Sequence, residues 1–190
     1  MSVLSTFYLS GKRADELGLI MLRQSQRPVL PGTIDRILEV PGKHGAWDFG
    51  ADLQPRLFNL ECAFITKDSA ELQQKVSELA AYLTDSYGRP RTHELKFSLQ
   101  PDRVFYARYT GSLPIERVAG LGRFTLSLIA YDPFAYSAEE RLYETVITTS
   151  PHTQNVESIG TIRTPSVIVL TNEGTTVITH FKITNEYRLE

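Results

Sequence analysis

Apolar and polar residues alternate with a period of two in FTLSLIAYDPFAY, residues 124–136. Phe124, Leu126 and Leu128 fall on one side and Thr125 and Ser127 on the other, the pattern of a half-buried strand. Pro133 lacks a backbone donor and biases Asp132 away from the helical region, so the ladder must end there. Tyr131, Phe134 and Tyr136 cluster at the exit and read as an aromatic plug at a domain boundary. Residues 56–65 alternate as clearly: Phe58, Leu60, Cys62 and Phe64 share one face, with Asn59 and Glu61 on the other. Cys62 reads as a small core residue. Shorter strands are expected at Phe7 to Leu9 and at Leu17 to Leu22, around a polar break from Ser10 to Glu16. Leu95, Phe97 and Leu99 alternate with Lys96 and Ser98. A turn over Gln100 to Arg103 and a strand from Val104 to Thr110 follow, and Pro114 to Gly122 reads as a connection.

One segment carries the helical period. Leu72, Val76, Leu79 and Leu83 form a single apolar stripe. Asp68 stands three residues before Glu71, the spacing of an N-cap with its reciprocal partner. Gly88 and Pro90 are expected to end the helix near Tyr87. Ile34 to Val40 and Ala46 to Phe49 flank the turn Pro41-Gly42-Lys43-His44-Gly45, which predicts a hairpin. It is poor in large apolar residues, and a lone two-stranded ribbon is marginal in water, so something else should pair with it. Trp47, without a local core, reads as an anchor for a partner.

Strands, one helix and then three strands predict an α+β, mainly β domain over residues 1–136. Its sheet is antiparallel and sandwich-like, with one packed helix and a protruding hairpin. Residues 137–190 are Thr/Ser-rich at first. Val167, Val169 and Val177 to Phe181 then suggest strands of an incomplete all-β region. About fifty residues is near the lower limit for an independent core, so the expectation is that the chain is the front part of a longer protein.

Composition narrows the function. The 190 residues are 42% hydrophobic and 22% charged with a formal net charge of -2, which suits a globular protein and argues against a free-standing nucleic-acid binder. No apolar run approaches the ~20 residues that cross a bilayer, and the opening MSVLSTFYLSGKRADELG does not read as a secretory signal. One cysteine, Cys62, allows neither an internal disulfide nor a Cys-rich metal site, consistent with assembly in a reducing cytoplasm.

Candidate chemistry is thin. His44, His93, His152 and His180 are scattered without a second ligand at metal spacing and read as exposed or loop histidines. No phosphate loop, dinucleotide fingerprint or nucleophile elbow is present. Asp48 with Asp52, and Glu139 with Glu140, lack an apolar setting that would raise one pKa for general-acid work. No enzyme activity, cofactor or metal is expected.

The order LKFSL, turn, VFYARYTG, then a Gly-containing link into FTLSLIAYDPFAY, preceded by the 72–83 helix, resembles the distal tail proteins of siphophages, the Dit family. A Thr/Ser-rich link and the run from Asn155 through Pro165 into Ser166-Val167-Ile168-Val169 extend that resemblance to about residue 170. It implies a structural virion protein of the phage tail, assembled in the bacterial cytoplasm. The family's N-terminal domains form a ring, usually of six copies, that joins the tail tube protein to the tail-tip hub protein and to receptor-binding proteins. The resemblance also implies that the hairpin is a belt over the neighbouring subunit, with Ile34, Ile37, Leu38, Val40, Trp47 and Phe49 at the inter-subunit interface. In the family, the segment after residue 137 opens a galectin-like or carbohydrate-binding sandwich. A carbohydrate-binding module for host-surface glycans is therefore the alternative reading. The few aromatics there, Tyr143, Phe181 and Tyr187, give it little to stack on a sugar.

Overall fold

The computed structural model describes residues 5–157, 159–162, 164 and 166–186. The chain divides into two compact units, Met1–Arg141 and Leu142–Glu190. In the first, the strands are β1 (Phe7–Leu9), β2 (Lys12–Arg13), β3 (Leu19–Met21), β4 (Thr33–Glu39), β5 (Ala46–Leu53) and β6 (Arg56–Ile65). The helix α1 (Ser69–Leu83) follows, then β7 (His93–Phe97), β8 (Gln100–Tyr109), β9 (Glu116–Val118), β10 (Leu121–Ala130) and β11 (Tyr136–Ser137).

Two antiparallel arms make the main sheet, in the order β2-β1-β7-β8-β10-β6-β3. The β10–β6 ladder is its longest, running from Leu121↔Ile65 to Ala130↔Arg56. The arms meet at a narrow seam, where β8 and β10 pair only through Leu128↔Tyr109 and Ile129↔Arg108. The sheet folds over at this seam, so the two arms face each other across a core. Phe58 of β6 packs on Phe97 and Phe105 of the opposite arm, with ring centroids 5.7 and 5.0 Å apart. This is the sandwich-like arrangement that the strand pattern predicts. Phe124, Leu126 and Leu128 point into the core as expected, and Gly122 and Ala130 extend the alternation at either end.

The helix rests on this core through Leu72, Leu79 and Leu83, with Val76 partly buried. Asp68 Oδ1 accepts from Glu71 N at 2.8 Å, while Glu71 Oε2 reaches back to Lys67 N at 2.9 Å. Leu72 lies so close to β10 that a Cβ at Gly122 would stand 2.8 Å from its Cδ1.

Several boundaries differ from expectation. The helix stops at Leu83 rather than near Tyr87, because Asp85 Oδ1 captures the Tyr87 and Arg89 amides in a turn of its own. The turn between β7 and β8 sits at Ser98 and Leu99, not at 100–103, since a bulge pairs Phe97 with Gln100. Leu99 is therefore exposed. The connection 114–122 contains β9, which pairs with the start of β10, and the polar break 10–16 contains β2, which pairs with β1.

The aromatics after β10 are not a plug, for Tyr131, Phe134 and Tyr136 all remain exposed. Asp132 organises this exit: it accepts from Phe134 N at 3.1 Å and from the Tyr136 hydroxyl at 2.5 Å. The turn sends the chain back to lay β11 along β8, with Tyr136↔Val104 in register.

The strands expected in the C-terminal part are not formed. Among the described residues of 142–186 there is no strand, and Val167, Val169 and Phe181 are 91%, 80% and 74% exposed. Alternation specifies a strand only where a second layer receives its apolar side, and these side chains meet none. The hydrogen bonds among the described residues here are mostly local, such as Asn172 Nδ2 to Thr176 O at 3.0 Å. Pro165 and Tyr187 lie outside the described residues.

Candidate assembly surface

Among the described residues, strands β4 and β5 pair with each other and with no other strand. Their root is a bond from Gln54 N to Gly32 O at 2.8 Å. Every residue of both strands is exposed. The ribbon therefore leaves the sheet with none of its apolar side chains buried, an arrangement that two strands alone stabilise poorly.

Its two faces are unlike, and a bulge makes them so. Ile37↔Asp48, Leu38↔Trp47 and Glu39↔Ala46 are in one register, whereas Thr33↔Leu53, Ile34↔Asp52 and Asp35↔Ala51 are in the next. The extra residue lies in β5 at Gly50, whose φ of 92° suits glycine alone. Asp48 Oδ1 holds its amide at 2.8 Å. Paired residues share a side and neighbours alternate. One face thus carries Ile34, Leu38, Trp47 and Phe49, together with the ion pair of Arg36 and Asp52 at 2.5 Å. Lys43 sits over the Trp47 ring, 3.3 Å from its centroid. The other face carries Asp35, Ile37, Glu39 and Asp48.

Of the six residues singled out by sequence, the structure brings Ile34, Leu38, Trp47 and Phe49 together. It places Ile37 on the opposite face and Val40 in the turn, where its carbonyl accepts from Lys43 N at 3.1 Å. Sequence reading missed the bulge and hence this sorting. Gly50 between an aromatic and a small residue was the available signal.

Elsewhere in the first unit, His93 is buried on β7 rather than exposed. It shares the parity of Leu95 and Phe97, so alternation carried the information. Ser10 Oγ lies 3.1 Å from its Nδ1, and the Tyr82 ring stacks on it at 4.8 Å. The Tyr82 hydroxyl donates to Leu9 O at 2.6 Å. His93 Nε2 has no hydrogen-bond partner, and burial together with the Arg91 charge lowers the pKa of the ring. A serine beside a histidine invites comparison with a nucleophile and base, but no carboxylate among the described residues orients this ring. The cluster clamps the helix to the β1 edge. No group of three metal-capable side chains occurs among the described residues, and no helix among them is long and apolar enough to cross a membrane. Burial pushes the Cys62 thiol up to about 12, with Glu61 adding to the shift.

Comparison with known proteins gives this geometry a setting. A family model described as the phage tail protein RIFT-related domain matches residues 12–130. No curated protein matches the sequence. Eight chains of solved structure match. One is the Dit protein (gp 19.1) of SPP1, described as a paradigm of the hub adsorption apparatus in phages that infect Gram-positive hosts. It has a TM-score of 0.60 and 16% sequence identity, covering 70% of this chain. The match covers 52% of that protein, so this chain spans about half its length. At this identity the similarity is one of fold.

Proposed function

The chain belongs to the phage tail protein RIFT-related domain family, and on that premise we propose that it is a ring-forming adaptor at the distal end of a phage tail. Its first unit, 1–141, assembles head to tail into a closed ring of six copies. A heterologous contact with a closing rotation produces such rings. The ring joins the tail tube protein to the tail-tip hub protein, with receptor-binding proteins at its periphery. The role is structural, and no reaction is assigned to it.

One observation carries this reading. The β4–β5 ribbon projects from the sheet and exposes Ile34, Leu38, Trp47 and Phe49 on a single face. A neighbouring copy covering that face would supply the layer the ribbon lacks. The carbohydrate-binding alternative is not favoured. It would rest on the second unit, where Tyr143 and Phe181 are the described aromatics.

Negative-stain electron microscopy of the purified protein tests the proposal. Rings with a central channel are expected, and a field of dispersed monomers at micromolar concentration would overturn it.

A further inference from the structure

Two arginines flank the root of the ribbon, Arg27 before β4 and Arg56 at the start of β6. The Arg27 guanidinium lies 4.9 Å from the centroid of Phe97 and that of Arg56 lies 5.1 Å from Phe105. Both rings pack on Phe58, so the two cations cap the same corner of the core. Such caps stabilise only modestly where exposed, and they leave the guanidinium N–H donors open. Neither arginine has a carboxylate partner among the described residues. Arg56 Nε is buried without a hydrogen-bond partner, and desolvation lowers the pKa of its guanidinium. A half-buried cation with an unmet donor is an incomplete site, because guanidinium groups favour paired carboxylate oxygens.

The complement lies on the ribbon. The face opposite Trp47 presents Asp35, Glu39 and Asp48, and the pleat places no lysine or arginine beside them. None of the three takes part in an ion pair among the described residues. Arg36, the one cation within the two strands, is committed to Asp52 on the other face. Asp35 lies near its own root, but Glu39 and Asp48 lie toward the turn end of the ribbon, away from their own root, where a copy beside it can present its root to them.

We infer that the acidic face of one copy's ribbon docks on the Arg27 and Arg56 pair of the next copy. This contact rests on the ring reading and adds to it. The apolar face supplies area, while the arginine–carboxylate contact sets direction and register, since the acidic face and its receptor are different surfaces and enforce a head-to-tail order.

The test is a dilution series of the full chain by mass photometry. R27E/R56E should weaken association at least about tenfold, as expected of close interfacial charge pairs. Adding E39R/D48R to the same chain should restore it, because every copy then carries the reversed pair. Association left unchanged by R27E/R56E, or lost and not restored, overturns the contact and leaves the ring reading standing. The first of these is also the outcome if the arginines serve a different tail protein. A wild-type chain that is monomeric throughout overturns the ring reading, and this contact with it. If R27E/R56E lowers the unfolding temperature, E39R/D48R alone carries the test, since those side chains lie off the core. It too should weaken association at least about tenfold, and no change would overturn the contact.

Discussion

Replacing Trp47 with alanine separates assembly from folding. Trp47 is 56% exposed. For a side chain that buries up to about 250 Å², some 140 Å² remains to be covered by a partner. At ~25 cal/mol/Å² that corresponds to about 3.5 kcal/mol per interface, or several hundredfold in the association constant. The figure is an upper bound, because ordering the ribbon against a partner costs part of it. The lone chain should hardly notice. Trp47 contacts Lys43 rather than the core, and exposed substitutions usually stay within about 0.5 kcal/mol. Mass photometry over a concentration series should show the oligomer giving way to monomer, while urea unfolding of the monomer keeps its midpoint. An unfolding free energy lowered by more than about 2 kcal/mol would mean that Trp47 supports the fold. An unchanged oligomer would mean that the apolar face is not the contact.

Three further outcomes follow from the core. Burial and the Arg91 charge lower the proton affinity of His93 below that of the unfolded chain. Stability should therefore fall as pH drops below about 6.5, where the unfolded histidine takes up a proton that the folded one resists. In His93→Gln the part of the pH dependence between about 6.5 and the depressed folded value should vanish in urea titrations, whereas an unaltered pH profile would exclude the ring as its source. Gly122→Ala should lower stability by about 1–3 kcal/mol, since Leu72 stands 2.8 Å from the added methyl. Gly42→Ala in the open turn makes no such contact and is the strain-only control. The buried Cys62 thiol should resist thiol reagents at pH 8 until urea unfolds the domain, and rapid labelling of the native protein would contradict its placement.

Long, dense periodicities were legible in the sequence because burial dictates them residue by residue. Strand β6 has the bounds read from Phe58, Leu60, Cys62 and Phe64, and the start of α1 follows from Asp68 and Glu71. Short edge strands were not legible. β2 and β9 are polar, two or three residues long, and exist because a neighbour offers hydrogen bonds. The helix end was misplaced because Asp85 competes locally for amides, an effect with no hydrophobic signature. The C-terminal valines show the converse: Val167 and Val169 alternate, yet among the described residues nothing lies opposite them. The ribbon itself was readable from its Pro/Gly turn. Its sidedness was not, because a single bulge residue at Gly50 exchanges the faces of everything beyond it.

The β10–β6 ladder has a consequence for synthesis. It joins residues 56–65 to 121–130, so most of the core must wait until β10 has left the ribosome, and closing so long a loop slows folding. The β4–β5 ribbon is local in sequence, so all of residues 33–53 emerge together, well before β10. On the ring proposal, the segment that would recognise neighbours leaves the ribosome before the domain that carries it is complete. On a crowded polysome, adjacent nascent chains can meet through their ribbons while their cores are still open. A charged face that accepts only a finished arginine corner would then act as a proofreading step, admitting folded subunits and turning away incomplete ones.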